Sequence, residues 1–245
     1  MLSLPTFDYE KELWNKGYEL VIGVDEVGRG CFAGPVVAAA VAFPSLVTAS
    51  TSKRSLRNFL PSVQHGIKID DSKRLKPNQR KQSANWIKEH SLAFGIGEVN
   101  VGTINRVGIG KAGALAMRKA IRELLDCYIV KIVKKQNNSA IQQYNNCFVL
   151  IDAFSIKYLH GIGLSHQKPI IKGDQKSISI AAASIVAKVY RDSLMQKLSK
   201  QYELYGWGRN KGYGTKDHQE AIVKNGITSF HRTAFVETFL SSSGR

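Results

Sequence analysis

Few cysteines and no long apolar run are present in the sequence, and these absences exclude several classes of protein. The three cysteines, Cys31, Cys127 and Cys147, form no C-x-x-C pair, which argues against a disulfide framework or a zinc site. The longest apolar stretch, 31–43, contains glycine and proline and is too short to span a bilayer. Acids and lysine near the N-terminus replace the apolar core of a signal peptide. We therefore predict a cytoplasmic protein without membrane association.

Acidic residues are also scarce relative to basic ones. The 245 residues include 19 acids and 35 lysines and arginines, so the net charge is +16. The basic residues are spread along the chain, which favours a basic binding surface and a polyanionic partner. The length and the 43% hydrophobic content suit one large domain with an appendage. We predict one large domain over 15–200 and a helical appendage over 201–245.

Two of the scarce acids, Asp25 and Glu26, directly follow the apolar run Leu20–Val24. Paired carboxylates at the end of a buried strand are costly unless a cation binds there. The loop Gly28-Arg29-Gly30 comes next, and its glycines allow the backbone to approach a ligand closely. The pattern indicates a metal-dependent site that handles phosphate, although a solvated turn gives the same local pattern.

Two more acids follow predicted strands. Asp152 comes after the apolar run Cys147–Ile151, and Asp174 lies just beyond Pro169–Ile171. Strands come first and then alternate with helices, an order that predicts an α/β fold with a mixed sheet covered by helices on both faces. Acids at strand ends of such a sheet can meet in space. A cluster of four carboxylates suits Mg²⁺ or Mn²⁺.

The pattern of apolar residues also predicts the main helices. We expect helices over 77–89 and 178–200, and one from a cap at Thr103 to about Cys127. The polar stretches 45–66 and 134–146 are predicted to be a surface excursion and a loop. Lys188 and Arg191 are consistent either with a substrate groove or with a solvated helix face.

Seven segments together resemble bacterial ribonuclease HII. They are GVDEVGRGCFAGPVVAAAV (23–41), DSKRL (71–75), AMRKA (116–120), LID (150–152), KGDQKSISIAAASIVAKVYRD (172–192), KGYGTKDH (211–218) and NGITSFHRTAF (225–235). The resemblance implies a ribonuclease H-like fold with a mixed five-stranded sheet, flanking helices and a small helical C-terminal appendage. It also implies an endonuclease that cleaves on the 5′ side of ribonucleotides in duplex DNA, and the RNA strand of RNA–DNA hybrids, leaving 5′-phosphate and 3′-hydroxyl ends.

The same resemblance assigns roles to individual residues. It implies that two Mg²⁺ or Mn²⁺ ions are held by four acids, which are Asp25, Glu26, Asp152 and Asp174. It implies that the ribose 2′-hydroxyl and nearby phosphates are contacted by Gly28, Arg29 and Gly30. Tyr213 matches a tyrosine that packs on the sugar at the RNA–DNA junction, and Lys73 is expected to touch backbone phosphate. We expect a monomer that binds RNA–DNA hybrids or DNA containing single ribonucleotides.

Two alternatives stay open on the sequence. A ribonuclease HIII-like nuclease would act on longer hybrids but lacks the junction tyrosine, and a non-catalytic basic module would bind nucleic acid without cleaving it. The four acids argue against the second, because carboxylates without metal weaken phosphate binding. One departure from the family pattern is Gly108, which stands where the family usually has asparagine.

Overall fold

The computed structural model describes residues 4–45, 67–136, 146–159 and 161–243. The strands in these ranges are β1 (Leu20–Val27), β2 (Val36–Ala42), β3 (Ala93–Val99), β4 (Cys147–Asp152) and β5 (Gln167–Ile170). The helices are α1 (Asp8–Asn15), α2 (Pro77–His90), α3 (Val101–Val107), α4 (Ile109–Gln136), α5 (Ile178–Ser199), α6 (Trp207–Asn210), α7 (Lys216–Asn225) and α8 (Thr233–Ser243). None of these helices combines the length and the apolar character needed to cross a bilayer.

The five strands form one mixed sheet in the order β3-β2-β1-β4-β5, which confirms the predicted sheet. The central strand β1 runs antiparallel to β2 and parallel to β4. In the parallel pair, Val24 lies opposite Ile151, so the next residues along, Asp25 and Asp152, lie side by side where this pairing ends. Residues 127 positions apart thereby become neighbours, as the sequence predicts.

One long helix packs on each face of the sheet. Alternate residues of a strand point to opposite faces, so Val21 packs with Ile180 and Ile185 of α5, whereas Ile22 packs with Met117 and residues around it on α4. Strand β1 is buried on both faces. That burial explains why it reads as a continuous apolar run and why polar groups within it need a specific partner.

Helix α1 attaches to the start of α5 through a buried acid. The side chain of Glu10 is 1% exposed, and its Oε1 accepts hydrogen bonds from the Ser177 hydroxyl at 2.6 Å and the Ser179 amide at 2.9 Å. A carboxylate at a helix N-terminus satisfies free N–H groups and is favoured by the helix dipole. The contact holds the beginning of α5 in place, three residues after Asp174.

The C-terminal segment has a small core of its own. Tyr205, Trp207, Ile222 and Val236 pack there together with Ala33 and Met195 from the preceding part of the chain. Ala33 belongs to the stretch that follows the glycine loop, and Met195 belongs to α5. The C-terminal helices are therefore attached to both the glycine loop and a sheet-covering helix.

Three sequence-based boundaries are wrong. Strand β1 does not end at Val24, because antiparallel pairing with β2 continues to Val27, so Asp25 and Glu26 lie within the strand. The helix predicted from Thr103 is two helices, and its cap is Asn100, whose Oδ1 accepts from the Thr103 amide at 2.9 Å. Helix α4 also continues to Gln136, beyond the predicted end near Cys127 and into the predicted loop. Most of the predicted surface excursion (46–66) and the rest of the predicted loop (137–145) lie outside the described residues.

Gly108 separates α3 from α4 with φ of +80° and ψ of 157°. Only glycine adopts this backbone region readily. We therefore expect Gly108→Asn to lower the free energy of unfolding by about 1–3 kcal/mol even though a Cβ there would meet no atom within 4 Å. Denaturant unfolding measures this, with Gly113→Ala inside α4 as a control that should stabilise by up to about 1 kcal/mol. An unchanged midpoint for Gly108→Asn would contradict the prediction.

Candidate active site

One pocket of about 590 Å³ gathers every residue predicted to act in catalysis or binding. It is lined by Asp25, Glu26, Gly28, Arg29, Gly30, Lys73, Asp152, Asp174 and Tyr213, together with Val27, Ser72, Ser184 and Lys188. The lining residues come from β1, the glycine loop, the segment before α2, the end of β4, the turn before α5, α5 itself and the segment after α6. The end of the sheet at which β1 and β4 finish thus brings together groups that are far apart in sequence.

The two acids of β1 are held in an environment that disfavours negative charge. Asp25 is 6% exposed, and burial, followed by the charges of Glu26, Asp152 and Asp174, raises its pKa well above the usual value. Burial also raises the pKa of Glu26, although its Oε1 pairs with the Arg29 guanidinium at 3.0 Å. The other oxygen of Glu26, Oε2, is buried and has no hydrogen-bond partner.

The acids from the other elements complete the cluster. Asp152 Oδ1 accepts a hydrogen bond from the Gly173 amide at 2.7 Å, which ties the end of β4 to the turn that carries Asp174. Burial and the neighbouring charges of Asp71 and Asp152 raise the pKa of Asp174, and Lys73 acts in the opposite direction. The charge of Asp25 therefore acts on all three other carboxylates of the cluster, and a bound cation would relieve this repulsion.

The donor set of this pocket fits a hard divalent cation. It offers carboxylate oxygens without histidine or cysteine, which is the chemistry that Mg²⁺ and Mn²⁺ prefer, and the unpartnered Oε2 of Glu26 is available as a ligand. Among the described residues, however, no three His, Cys, Asp or Glu side chains are already closed around a common point. The carboxylates share the pocket but would have to draw together to ligate one ion.

The glycine loop is pressed against a buried arginine. Gly28 has φ of +94°, and a Cβ at this position would lie 2.2 Å from Nε of Arg191. Only glycine fits at that distance and in that conformation. The Arg29 side chain in turn lies over the ring of Phe154, 5.3 Å from its centroid. The loop therefore passes between a buried cation on one side and the pocket on the other.

Tyr213 reaches the pocket from the C-terminal segment with 37% of its surface exposed. Lys188 Nζ lies 5.7 Å from its ring centroid, and burial raises the pKa of the phenol to about 12. The hydroxyl is therefore protonated at neutral pH. A flat aromatic surface beside two cations and a backbone loop is suited to contact a nucleic-acid sugar.

The residues that line the pocket lie within the part of the chain that matches a known protein family. The family model for ribonuclease HII matches residues 22–238, which include all four acids and Tyr213. The chain belongs to the ribonuclease HII family. It is accordingly a ribonuclease H, and the resemblance seen in the sequence is confirmed.

Relatives in other bacteria match over nearly the whole chain. The ribonuclease HII of Alkaliphilus oremlandii is 41% identical over 97% of this chain and 100% of its own. That of Bacillus subtilis is 37% identical, covering 93% of this chain and 73% of its own. Both relatives are ribonucleases HII, which agrees with the family assignment of this chain.

Solved structures confirm the fold. A ribonuclease HII from Archaeoglobus fulgidus, determined in complex with PCNA, superposes with a TM-score of 0.56 at 22% identity, covering 87% of this chain and 93% of its own. The Bst-RNase HIII structure in complex with Mn²⁺ superposes with a TM-score of 0.63 at 20% identity, covering 94% and 71%. The ribonuclease H-like fold predicted from the sequence is therefore confirmed.

Some residues of the pocket were missed or misjudged in the sequence. Ser184 lines it, and its hydroxyl lies 3.0 Å from that of Ser72, which connects α5 to the DSK segment. Lys188 also lines it and forms an ion pair with Asp192 at 2.7 Å. Arg191, in contrast, is fully buried and belongs to neither the groove nor a solvated face. Serines in an apolar helix carry no distinctive sequence signal, so only the fold reveals them.

Two buried histidines support the backbone at Tyr213. The His218 Nδ1 lies 2.9 Å from the Tyr213 carbonyl, and its Nε2 lies 3.0 Å from Nε1 of Trp207 and 3.2 Å from Nε2 of His231. The Trp207 N–H can only donate, so His218 donates through Nδ1 and accepts through Nε2. His231 accepts from the Thr228 amide through Nδ1. Its proton is therefore on Nε2, which faces Nε2 of His218. The network is complete only when both imidazoles are neutral.

Acid should therefore weaken this part of the protein. Burial lowers the pKa of His218 and, with the nearby His218, that of His231 to about 4. The unfolded chain then binds more protons than the folded chain, so this contribution to stability is present above about pH 6.5 and is lost as the pH falls towards about 4. We expect unfolding titrations across this window to show a smaller loss of stability for His231→Asn than for the wild type. Equal losses would contradict the assignment.

Proposed function

We propose that this protein hydrolyses the phosphodiester on the 5′ side of a ribonucleotide embedded in duplex DNA, and the RNA strand of RNA–DNA hybrids. The products would carry 5′-phosphate and 3′-hydroxyl ends. The observation that carries the proposal is a single pocket in which four carboxylates face a glycine loop and an exposed tyrosine. The same pocket thus offers carboxylates that could hold a metal ion and a surface that could contact a sugar.

The metal ions, Mg²⁺ or Mn²⁺, would be held by the four acids Asp25, Glu26, Asp152 and Asp174. When bound, such ions supply activation of a water and stabilisation of the leaving oxygen. The raised pKa values of Asp25, Glu26 and Asp174 support the assignment, because groups that repel one another in the free protein gain most from a shared cation.

The remaining lining residues would position the substrate. Lys73 is exposed at the pocket and is suited to contact backbone phosphate. Gly28, Arg29 and Gly30 would recognise the ribose, since the 2′-hydroxyl distinguishes RNA from DNA. Tyr213 would pack on the following deoxyribose. We also propose a catalytic domain over 15–200 and a substrate-binding segment over 201–245, with Tyr213 contributed by the second.

Cleavage of matched duplexes tests this function. The substrates are a duplex with one ribonucleotide, the same duplex entirely of DNA, and a continuous RNA–DNA hybrid, each with Mg²⁺, with Mn²⁺ and with EDTA. We expect metal-dependent cutting on the 5′ side of the single ribonucleotide and none of the DNA duplex. Cleavage restricted to the continuous hybrid would instead favour a ribonuclease HIII-like preference, and cleavage in EDTA would exclude the metal.

Affinity for such duplexes should fall steeply with salt. The net charge of +16 predicts that phosphate contacts release counterions, with a log–log slope of about −0.9 per contact. We expect Lys73→Ala to make the slope shallower by about one contact. Lys81→Ala, an exposed lysine of α2 that does not line the pocket, should leave it unchanged. Equal slopes for the wild type and Lys73→Ala would remove Lys73 from the interface.

A further inference from the structure

Two arginines, Arg191 and Arg232, are completely buried behind the glycine loop. Neither forms an ion pair with a carboxylate among the residues that the structure describes. A buried guanidinium without a counter-charge is costly unless its donors are satisfied in another way. Here the two side chains donate to main-chain carbonyl groups.

Each arginine holds several carbonyls at once. Arg232 donates from Nη1 to the Arg29 carbonyl at 2.9 Å and from Nη2 to the Gly34 carbonyl at 2.8 Å. Arg191 donates from Nε to the Pro35 carbonyl at 2.9 Å, and from Nη2 to the Ala33 carbonyl at 3.0 Å. The two guanidinium groups thus bind four carbonyl groups of the segment that follows β1.

The bond to Arg29 determines the orientation of one peptide group. In a trans peptide the C=O and the following N–H point in opposite directions. Because the Arg29 carbonyl points at Arg232, the Gly30 N–H points away from it. Gly30 lines the pocket, and in the described part of the chain its N–H has no hydrogen-bond acceptor. A free donor at the pocket is what a sugar hydroxyl or a phosphate oxygen requires.

The second arginine connects the loop to the tyrosine. Arg191 Nη1 donates to the Lys211 carbonyl at 2.9 Å, two residues before Tyr213, and its guanidinium carbon lies 5.9 Å from the tyrosine ring centroid. The Cβ that Gly28 lacks would overlap Nε of this same side chain. The loop and the tyrosine therefore share one rigid support.

We propose that Arg232 and Arg191 are positioning residues for ribonucleotide recognition. They hold the Arg29 carbonyl and the carbonyls of residues 33–35 inward, which leaves the Gly30 N–H directed at the substrate, and they set the loop and Tyr213 at a constant separation. This inference rests on the proposed function. The fork of an arginine is essential to it, because a lysine retains the charge but offers a single centre that cannot span two carbonyls in the same way.

The test measures Kd for the one-ribonucleotide duplex and for the all-DNA duplex in EDTA. The selectivity is the Kd of the all-DNA duplex divided by the Kd of the one-ribonucleotide duplex, and this is the ratio compared between variants. Partial unfolding lowers both affinities equally and leaves the ratio unchanged. We expect Arg232→Lys and Arg191→Lys each to reduce the ratio by about tenfold, the equivalent of roughly one hydrogen bond. Arg118→Lys, an arginine that donates to the Lys157 carbonyl outside the pocket, should retain the wild-type ratio.

Hydrogen exchange of the wild-type protein provides a test that does not depend on any variant folding. The Gly30 amide should exchange freely in the unbound protein and become protected by the one-ribonucleotide duplex but not by the all-DNA duplex. An unchanged ratio in the variants, or no protection of Gly30, would overturn the proposal. If the wild type itself does not discriminate between the duplexes, the proposed function fails instead, so the two failures are distinguishable.

Discussion

Asp25→Asn should lose cleavage of a one-ribonucleotide duplex by on the order of 10²–10³-fold or more in kcat, with little change in duplex binding. The carboxylate is buried at the centre of the acid cluster, and an amide cannot replace its charge as a metal ligand. Steady-state kinetics in Mg²⁺ measure the loss. Turnover near the wild-type level would refute the assignment of Asp25.

The same substitution should stabilise the protein without metal. Burial and like charges raise the pKa of Asp25, so the folded state favours the protonated acid and loses stability as the pH rises above the unfolded value. Asparagine removes that penalty, and Tm in EDTA should rise by roughly 2–4 °C for each kcal/mol recovered. Asp126→Asn, on the exposed side of α4 and outside the acid pocket, should change neither activity nor Tm.

Tyr213→Ala should reduce cleavage of the one-ribonucleotide duplex far more than it weakens binding. Loss of an aromatic surface on which a nucleotide packs costs about 1–3 kcal/mol, or roughly 5- to 150-fold if it acts in the transition state. Tyr213→Phe should be milder if the ring surface matters, and equally harmful if the hydroxyl, which is protonated at neutral pH, makes an essential contact.

Both Tyr213 variants should be assayed on the one-ribonucleotide duplex and on a continuous RNA–DNA hybrid. Tyr158→Ala supplies the control, since this tyrosine is 90% exposed and does not line the acid pocket. If Tyr213→Ala lowers activity on neither substrate, the tyrosine packs the C-terminal segment without sensing the junction.

Much of the site could be predicted because its signals are local. Acids after apolar runs and glycines around Arg29 are visible without a structure. The alternation of strands with helices predicts a sheet in which Asp152 can meet Asp25. The extension of β1 to Val27 was not visible, because it depends on pairing with β2. Local propensity carries no information about which residues of a distant strand will supply those hydrogen bonds.

The support of the site was harder to predict than the site itself. Glu10, Arg191 and Arg232 belong to residue types that are mostly exposed in proteins, yet each is at most 1% exposed. Their burial is possible only because carbonyls, hydroxyls and amides from distant segments converge on them. Such convergence is a property of the tertiary fold, so composition and periodicity could not indicate it.

The contact between Arg232 and the Arg29 carbonyl has a consequence for synthesis on the ribosome. The glycine loop is synthesised first, and the side chain that holds its peptide in place, that of residue 232, follows some two hundred residues later. Contacts of such sequence separation form late. A nascent chain would therefore present the acids and the loop without this support for the Arg29 carbonyl until residue 232 has been synthesised and folded into place.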